Sequence, residues 1–205
     1  MRAEITLTVP GTSSAGRARR RPWRCCAAWM AEASQRVFLA LWPGPEVAAR
    51  LHQISLEAEK RCGGRRMRRD TLHITLAFLG EVAESRLPLI GEAMASLQAG
   101  RFRLRIDTSG YWAHNHIVWA GCRAWPAQLD ALVGDIRCAL ADAGLPVATE
   151  NAFFPHVTLL RKAQAVAALP EFEPIDWPVD AWVLAASSPA SDGVGYRRLT
   201  GWPLT

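Results

Sequence analysis

Apolar residues change period several times along the chain, and each change marks an element. Residues 36–42 (RVFLALW) form a short apolar run stopped by Pro43-Gly44-Pro45, which predicts a buried strand. Over 46–61 the period lengthens, with Val47, Leu51, Ile54 and Ala58 at helical spacing and Cys62-Gly63-Gly64 as the stop. Residues 72–79 return to a strand ending at Gly80. Residues 81–98 read as a helix, with Pro88 an objection to its first turns. Residues 102–106 alternate with Arg101, Arg103 and Arg105, the period of a half-exposed strand that can run on to 111. A strand over 117–120 is followed by a helix over 126–143, with Leu129, Leu132, Val133, Ile136 and Leu140 on one face and Gly144 as its stop. Strands over 156–160, 181–187 and 196–202 complete the pattern.

The order contains an echo. Strand 36–42, helix 46–61 and strand 72–79 form one unit; strand 117–120, helix 126–143 and strand 156–160 form another. This predicts an α+β fold, two-lobed and pseudo-duplicated, with antiparallel or mixed sheets facing a central cleft and helices outside. The domain is expected over 36–205.

Composition separates the first 35 residues from the rest. The chain has 205 residues and a formal charge of +5, with 24 Lys and Arg against 19 Asp and Glu. Residues 1–35 hold six Arg and two Glu, which leaves 18 basic and 17 acidic groups for the other 170 residues. The stretch 10–21 is rich in Gly, Ser, Thr and Arg with no apolar period, so residues 1–35 read as a disordered basic extension. Three origins fit: a nucleic-acid-binding arm, a secretory signal with a short apolar part, or a mis-assigned start. The last is preferred, with Met30 as the true start, because 30–35 runs directly into the first strand. No run of about 18 apolar residues occurs, so no membrane-spanning helix is expected. The five cysteines are odd in number and include no C-x-x-C, which speaks against a disulfide framework or structural zinc and for a reducing cytoplasm.

The echoed strands carry the candidate chemistry. They read Leu72-His73-Ile74-Thr75-Leu76 and Pro155-His156-Val157-Thr158-Leu159. In a strand, residues i and i+2 share a face, so each copy turns an imidazole and a hydroxyl the same way and its middle residue into the core. Two imidazoles across an anion form an acid–base pair, one neutral and one protonated near pH 7. Two Thr hydroxyls donate hydrogen bonds to phosphate oxygens without adding charge.

The chain resembles the two-histidine (2H) phosphoesterase superfamily and, within it, the bacterial and archaeal RNA 2′,3′-cyclic phosphodiesterases, also called 2′-5′ RNA ligases. The resemblance runs from about Arg36 to Pro203. It rests on the opening RVFLAL, the blocks LHITLAFLGEV and FFPHVTLLRKA, and the closing pattern Leu184, Ser187, Gly195-Tyr196 and Trp202. It implies a 2H phosphoesterase fold and a hydrolase, without metal or cofactor, that opens the 2′,3′-cyclic phosphate of an RNA end and leaves a 2′-phosphate. His73 is then the general acid on the leaving 3′ oxygen and His156 the general base on water, with the two roles open to exchange. Thr75 and Thr158 hold the phosphoryl oxygens, and Arg161 acts near the phosphate or base. RNA ends or 2′,3′-cyclic nucleotides are the implied partners of a monomeric, non-membrane enzyme, and 2′-5′ ligation is the implied further use of the same site. Two alternatives stay open: a 2H phosphodiesterase acting on another cyclic nucleotide or oligonucleotide, and a nucleotide-binding module without turnover.

Other features are weaker. Lys60, Arg61, Arg65, Arg66, Arg68 and Arg69 precede the first motif, and Arg161 and Lys162 follow the second. They read equally as a guide for an RNA backbone or as a solvated loop. Trp42, Phe154 and Tyr196 are candidate base-stacking aromatics whose simpler reading is core. His114-Asn115-His116 reads as a turn, and His52 as a surface residue of its helix.

Overall fold

The computed structural model describes residues 32–145, 147, 152–190 and 193–205. The expected basic extension over residues 1–35 and the start at Met30 lie almost wholly outside the described residues. The first strand, β1 (Ser34–Leu41), begins two residues before the expected boundary, and Ser34 and Gln35 already pair with Ala83 and Val82.

The chain continues through α1 (Pro45–Cys62), β2 (Arg65–Arg66), a 3₁₀ turn at Arg69–Thr71 and β3 (Ile74–Ala83). A second 3₁₀ turn leads into α2 (Leu87–Ala95), followed by β4 (Phe102–Ile106), β5 (Thr108–Trp112) and β6 (Ile117–Gly121). Then come α3 (Ala127–Asp142), β7 (His156–Arg161), β8 (Ile175–Val179), β9 (Ala181–Ala190) and β10 (Gly193–Pro203). The main sheet has the order β10-β9-β1-β3-β7-β6-β5, with β2 added on β7, and β4 and β8 form a separate two-stranded ribbon. The pairings in both sheets are antiparallel.

The echoed units are the two halves of the main sheet. β1-α1-β3 builds one half and β6-α3-β7 the other. The halves join at a single ladder pair, Ile74 with Val157, the middle residues of the two motifs. Both side chains are fully buried. The helices cross over: α1 packs against β7 of the other half, and α3 packs against β3. Each helix therefore backs the motif strand of the opposite unit, and the apolar faces of both close one continuous core.

Three sequence expectations change. Residues 81–83 are strand rather than the start of a helix, because β1 offers them ladder partners as far as Ser34 and pairing overrides a short helical pattern. The helix itself begins at Leu87 with Pro88 in its first turn, where a missing N–H costs nothing, and it ends at Ala95. The strand expected to run over 102–111 breaks at Asp107: β4 pairs with β8, while β5 pairs with β6. β8 escaped the sequence reading because Pro178 interrupts it, yet a two-stranded ribbon tolerates a proline on its outer face.

Candidate active site

Period two along the motif strands decides which side chains face the cleft. Ile74 and Val157 are buried, while His73, Thr75, His156 and Thr158 are each half-buried. The antiparallel register carries the pairing outward from Ile74 and Val157, setting His73 across from Thr158 and Thr75 across from His156. The two histidines are then diagonal neighbours, a relationship that places such positions about 7–8 Å apart. A phosphate fits between imidazoles at that separation.

Both imidazoles are held the same way. The Nδ1 of His73 lies 2.7 Å from the Thr71 carbonyl oxygen, and the Nδ1 of His156 lies 2.9 Å from the Phe154 carbonyl oxygen. A carbonyl can only accept, so each Nδ1 carries the proton and each Nε2 is left to exchange one with a ligand. The anchoring carbonyl stands two residues before each histidine, so the echo extends beyond the motif letters.

Aromatic rings surround both imidazoles. Trp42 stacks on His73 with centroids 5.2 Å apart, Phe38 lies at 4.9 Å, and Tyr196 meets its edge at 5.0 Å. Trp112 meets His156 edge-on at 4.5 Å, with Phe154 stacked at 6.2 Å. Burial in these apolar surroundings disfavours the imidazolium. It pushes His73 down to about 4, aided by the charges of His156 and Arg161 and opposed by the Thr71 carbonyl. His156 is pushed down as well, by burial and then by Arg161, against the Phe154 carbonyl. Both histidines therefore favour the neutral form near pH 7 when no anion lies between them, whereas the expected pairing of one neutral and one protonated imidazole belongs to the site with an anion across it. An anionic phosphate opposes Arg161 and restores the proton to one of them.

Arg161 reaches the site by a backbone irregularity. In a regular strand it would point away from Thr158, three residues earlier. β6 pairs Trp119 with Thr158 and the next residue back, Val118, with Leu160, so Leu159 is an extra residue that turns Arg161 to the cleft face. β3 does the same after its own motif, where Ala40 pairs with Thr75 and Leu39 with Ala77, leaving Leu76 extra. The residue equivalent to Arg161 is then Phe78, which lines the same cavity, is 37% exposed and carries the Arg36 guanidinium 4.8 Å above its ring.

One cavity of about 470 Å³ brings together His73, Thr75, His156, Thr158 and Arg161, all five residues expected from the sequence. Tyr196 also lines it, whereas Trp42 and Phe154 stay behind the histidines. Sequence reasoning missed Phe78 and Trp112 on its walls, and it named Arg65 only within the basic cluster and Ser187 only within the closing pattern. Arg65 sits opposite Arg161 in the β2–β7 ladder, a register with no signature in the letters. The rest of the basic cluster divides: Lys60 pairs with Glu57 and Arg66 with Glu59, on or beside α1, while Arg68 pairs with Asp70. His114-Asn115-His116 is a turn, as expected, with His116 Nδ1 2.9 Å from the Tyr111 hydroxyl. His52 is not a simple surface residue: it is half-buried and its Nδ1 has no hydrogen-bond partner.

Sequence and fold both match known proteins. A family model described as LigT-like phosphoesterase matches residues 41–119. The chain is 37% identical over 149 residues to an RNA 2′,3′-cyclic phosphodiesterase of Escherichia coli, covering 69% of this chain and 81% of that protein. It is 29% identical over 179 residues to an RNA 2′,3′-cyclic phosphodiesterase of Thermus thermophilus, covering 82% of this chain and 90% of that one. The crystal structure of E. coli LigT complexed with 3′-AMP superposes with a TM-score of 0.76 at 31% identity, over 84% of this chain and 99% of LigT. Identity at that level over most of both chains, on one fold, makes this chain a member of the LigT-like RNA 2′,3′-cyclic phosphodiesterase family of 2H phosphoesterases.

Proposed function

We propose that the protein is a hydrolase that opens the 2′,3′-cyclic phosphate at an RNA end and leaves a 2′-phosphate, with His73 as general acid and His156 as general base. The observation that carries this reading is the matched pair of imidazoles, each anchored through Nδ1 with its Nε2 left for exchange, on adjoining strands of one cavity. His156 Nε2 takes a proton from water as the water oxygen bonds to phosphorus. The bond from phosphorus to the 3′ oxygen breaks, and His73 Nε2 gives that oxygen its proton. One water is consumed, and a proton passes back between the imidazoles through solvent before the next turnover. Thr75 and Thr158 donate to the phosphoryl oxygens, and Arg161 balances their charge. Phe78 and Tyr196 offer aromatic faces on which the terminal base can stack. With a 5′-hydroxyl in place of water, the same two groups form a 2′-5′ linkage.

This reading takes the enzyme to be a monomer acting in a reducing cytoplasm, which suits the free thiols of Cys62, Cys122 and Cys138. Among the described residues no helix is long and apolar enough to cross a membrane. The test is turnover of a 2′,3′-cyclic-phosphate-ended oligoribonucleotide in EDTA, with the product identified as the 2′- or 3′-phosphate. Full activity and a 2′-phosphate are expected. Binding without hydrolysis, or activity lost to EDTA, overturns the reading.

A further inference from the structure

A second cavity, of about 480 Å³, adjoins the catalytic one, and Arg65, Met67, Thr71 and Arg161 line both. Its own walls add Arg66, Arg68 and Arg69, so five guanidinium groups line the cavity against one lining carboxylate, Glu59, with Asp70 beside it on Arg68. Residues 36–205 as a whole, these arginines included, are almost charge-balanced at 18 basic and 17 acidic groups, which makes this a local concentration of positive charge. Arg66 bonds Glu59 at 3.2 Å, Arg68 gives two N–H groups to Asp70 and Arg69 donates to the Pro45 carbonyl oxygen, but a guanidinium has five N–H donors, so these partners leave others for a ligand. The proton affinity of His52, on the wall from α1, is lowered by burial and then by the charges of Arg66 and Arg69, against Glu59.

The backbone is shaped to bring this cavity against the catalytic one. Gly64 has φ +89, and a Cβ there would lie 2.8 Å from the Arg161 carbonyl oxygen and 2.9 Å from Ala163 Cα. Only a glycine lets β2 lie this close to the end of β7, and that approach sets Arg65 beside Arg161 on the ridge between the two cavities. A ligand whose terminal phosphate lies between His73 and His156 has one direction in which to continue over that ridge, and the chemistry that awaits it suits a second phosphate.

We infer that the arginine-lined cavity is a second phosphate subsite, taking the phosphate on the 5′ side of the terminal nucleoside, so that the enzyme prefers oligoribonucleotide ends to cyclic mononucleotides. The inference rests on the hydrolase reading above and narrows its substrate class. A 2′,3′-cyclic mononucleoside fills the catalytic cavity alone; an RNA end fills both.

The test compares a dinucleotide ending in a 2′,3′-cyclic phosphate, the same dinucleotide with an uncharged methylphosphonate linkage, the cyclic mononucleoside, and that mononucleoside with a 5′-phosphate. Each is measured for turnover, and non-hydrolysable 2′-O-methyl, 3′-phosphate forms are measured for binding. The proteins are the full chain and its Arg68→Gln/Arg69→Gln variant. The native dinucleotide is expected to bind and react roughly tenfold better than the mononucleoside or the methylphosphonate. The double variant is expected to lose that preference, with turnover of the mononucleoside unchanged, which also shows that it folds. The slope of log affinity against log salt becomes shallower by about 0.7 for each phosphate that the variant no longer neutralises. Equal binding of native and methylphosphonate linkages overturns the subsite, as does equal loss on every substrate. If the 5′-phosphorylated mononucleoside matches the dinucleotide, the subsite stands and the preference for oligonucleotides falls. If binding depends on the linkage charge but nothing is hydrolysed, the subsite survives and the hydrolase reading fails.

Discussion

Leu76 and Leu159 hold equivalent places in the two halves of the sheet: each follows its H-x-T motif and is the extra residue of a β-bulge. Each bulge brings the residue two places further on, Phe78 or Arg161, back to the face already occupied by the histidine and threonine. The duplication thus extends to backbone irregularities, while its outcome differs. One half contributes an aromatic face and the other a cation. This asymmetry gives the otherwise matched imidazoles different neighbours.

Removing either imidazole tests the pair. His73→Ala and His156→Ala are each expected to lower kcat by about 10²–10⁴-fold, and the double variant by less than the product, because the two act in one step. A p-nitrophenyl phosphodiester separates the roles. Its leaving group departs without protonation, so the acid variant recovers most of its rate and the base variant does not. Recovery by His156→Ala instead of His73→Ala exchanges the assignments.

Arg161 lowers the proton affinity of both histidines, and its removal has a definite sign. The guanidinium repels the imidazolium, so Arg161→Gln raises both values toward the ordinary 6.5. The pH profile of kcat/KM reports the free enzyme, so its bell centres on the acidic side in the wild type and moves to higher pH in the variant. KM rises as well, since a phosphate partner is removed. An unmoved bell places Arg161 outside the electrostatics of the pair.

The motif strands are legible in the sequence because period two and a buried middle residue leave a clear trace, and His73, Thr75, His156 and Thr158 all line the cavity. Arg161 stands out by its distance from Thr158, but the bulge that makes that distance work is a matter of register against β6 and leaves no mark in one sequence. The place of Arg65 beside Arg161, and that of Trp112 beside His156, depend in the same way on pairing between distant segments, β2 with β7 and β6 with β7. The helical expectation over 81–98 fails at its start because of tertiary pairing with β1, which local periodicity does not contain.

The depressed histidines also link stability to acid. His73 has a folded-state value of about 4 against 6.5 for the free side chain, so the unfolded chain binds the extra proton more readily. The stabilisation is fully present above pH 6.5 and is lost as pH falls from 6.5 toward 4. His156 acts in the same direction. His73→Gln cannot take up that proton, so thermal melting of this variant is expected to fall less between about pH 7 and about pH 4.5 than that of the wild type. Parallel losses refute the linkage.

Most of the formal charge lies in residues 1–35, yet the arginines that line the cavities belong to the folded domain. Deleting residues 1–29 is therefore expected to leave turnover of a cyclic-phosphate-ended oligonucleotide within about twofold. A loss of tenfold or more makes the basic segment part of the RNA-binding apparatus.

Gly64 offers the sharpest test of how the site is held. Any side chain there meets two backbone obstacles, at 2.8 Å and 2.9 Å, in a conformation that L residues avoid. Backbone cannot rotate aside as a side chain can, so Gly64→Ala must push β2 away from β7. Strain of this kind costs about 1–3 kcal/mol, which for a chain of this size lowers Tm by several degrees. The displacement also carries Arg65 away from Arg161, so KM for an RNA end is expected to rise while the histidines stay in place. A variant that melts like the wild type and keeps its KM shows that β2 is not fixed by this contact. Loss of kcat with KM unchanged indicates that the disturbance travels instead along β7 to Thr158 and His156.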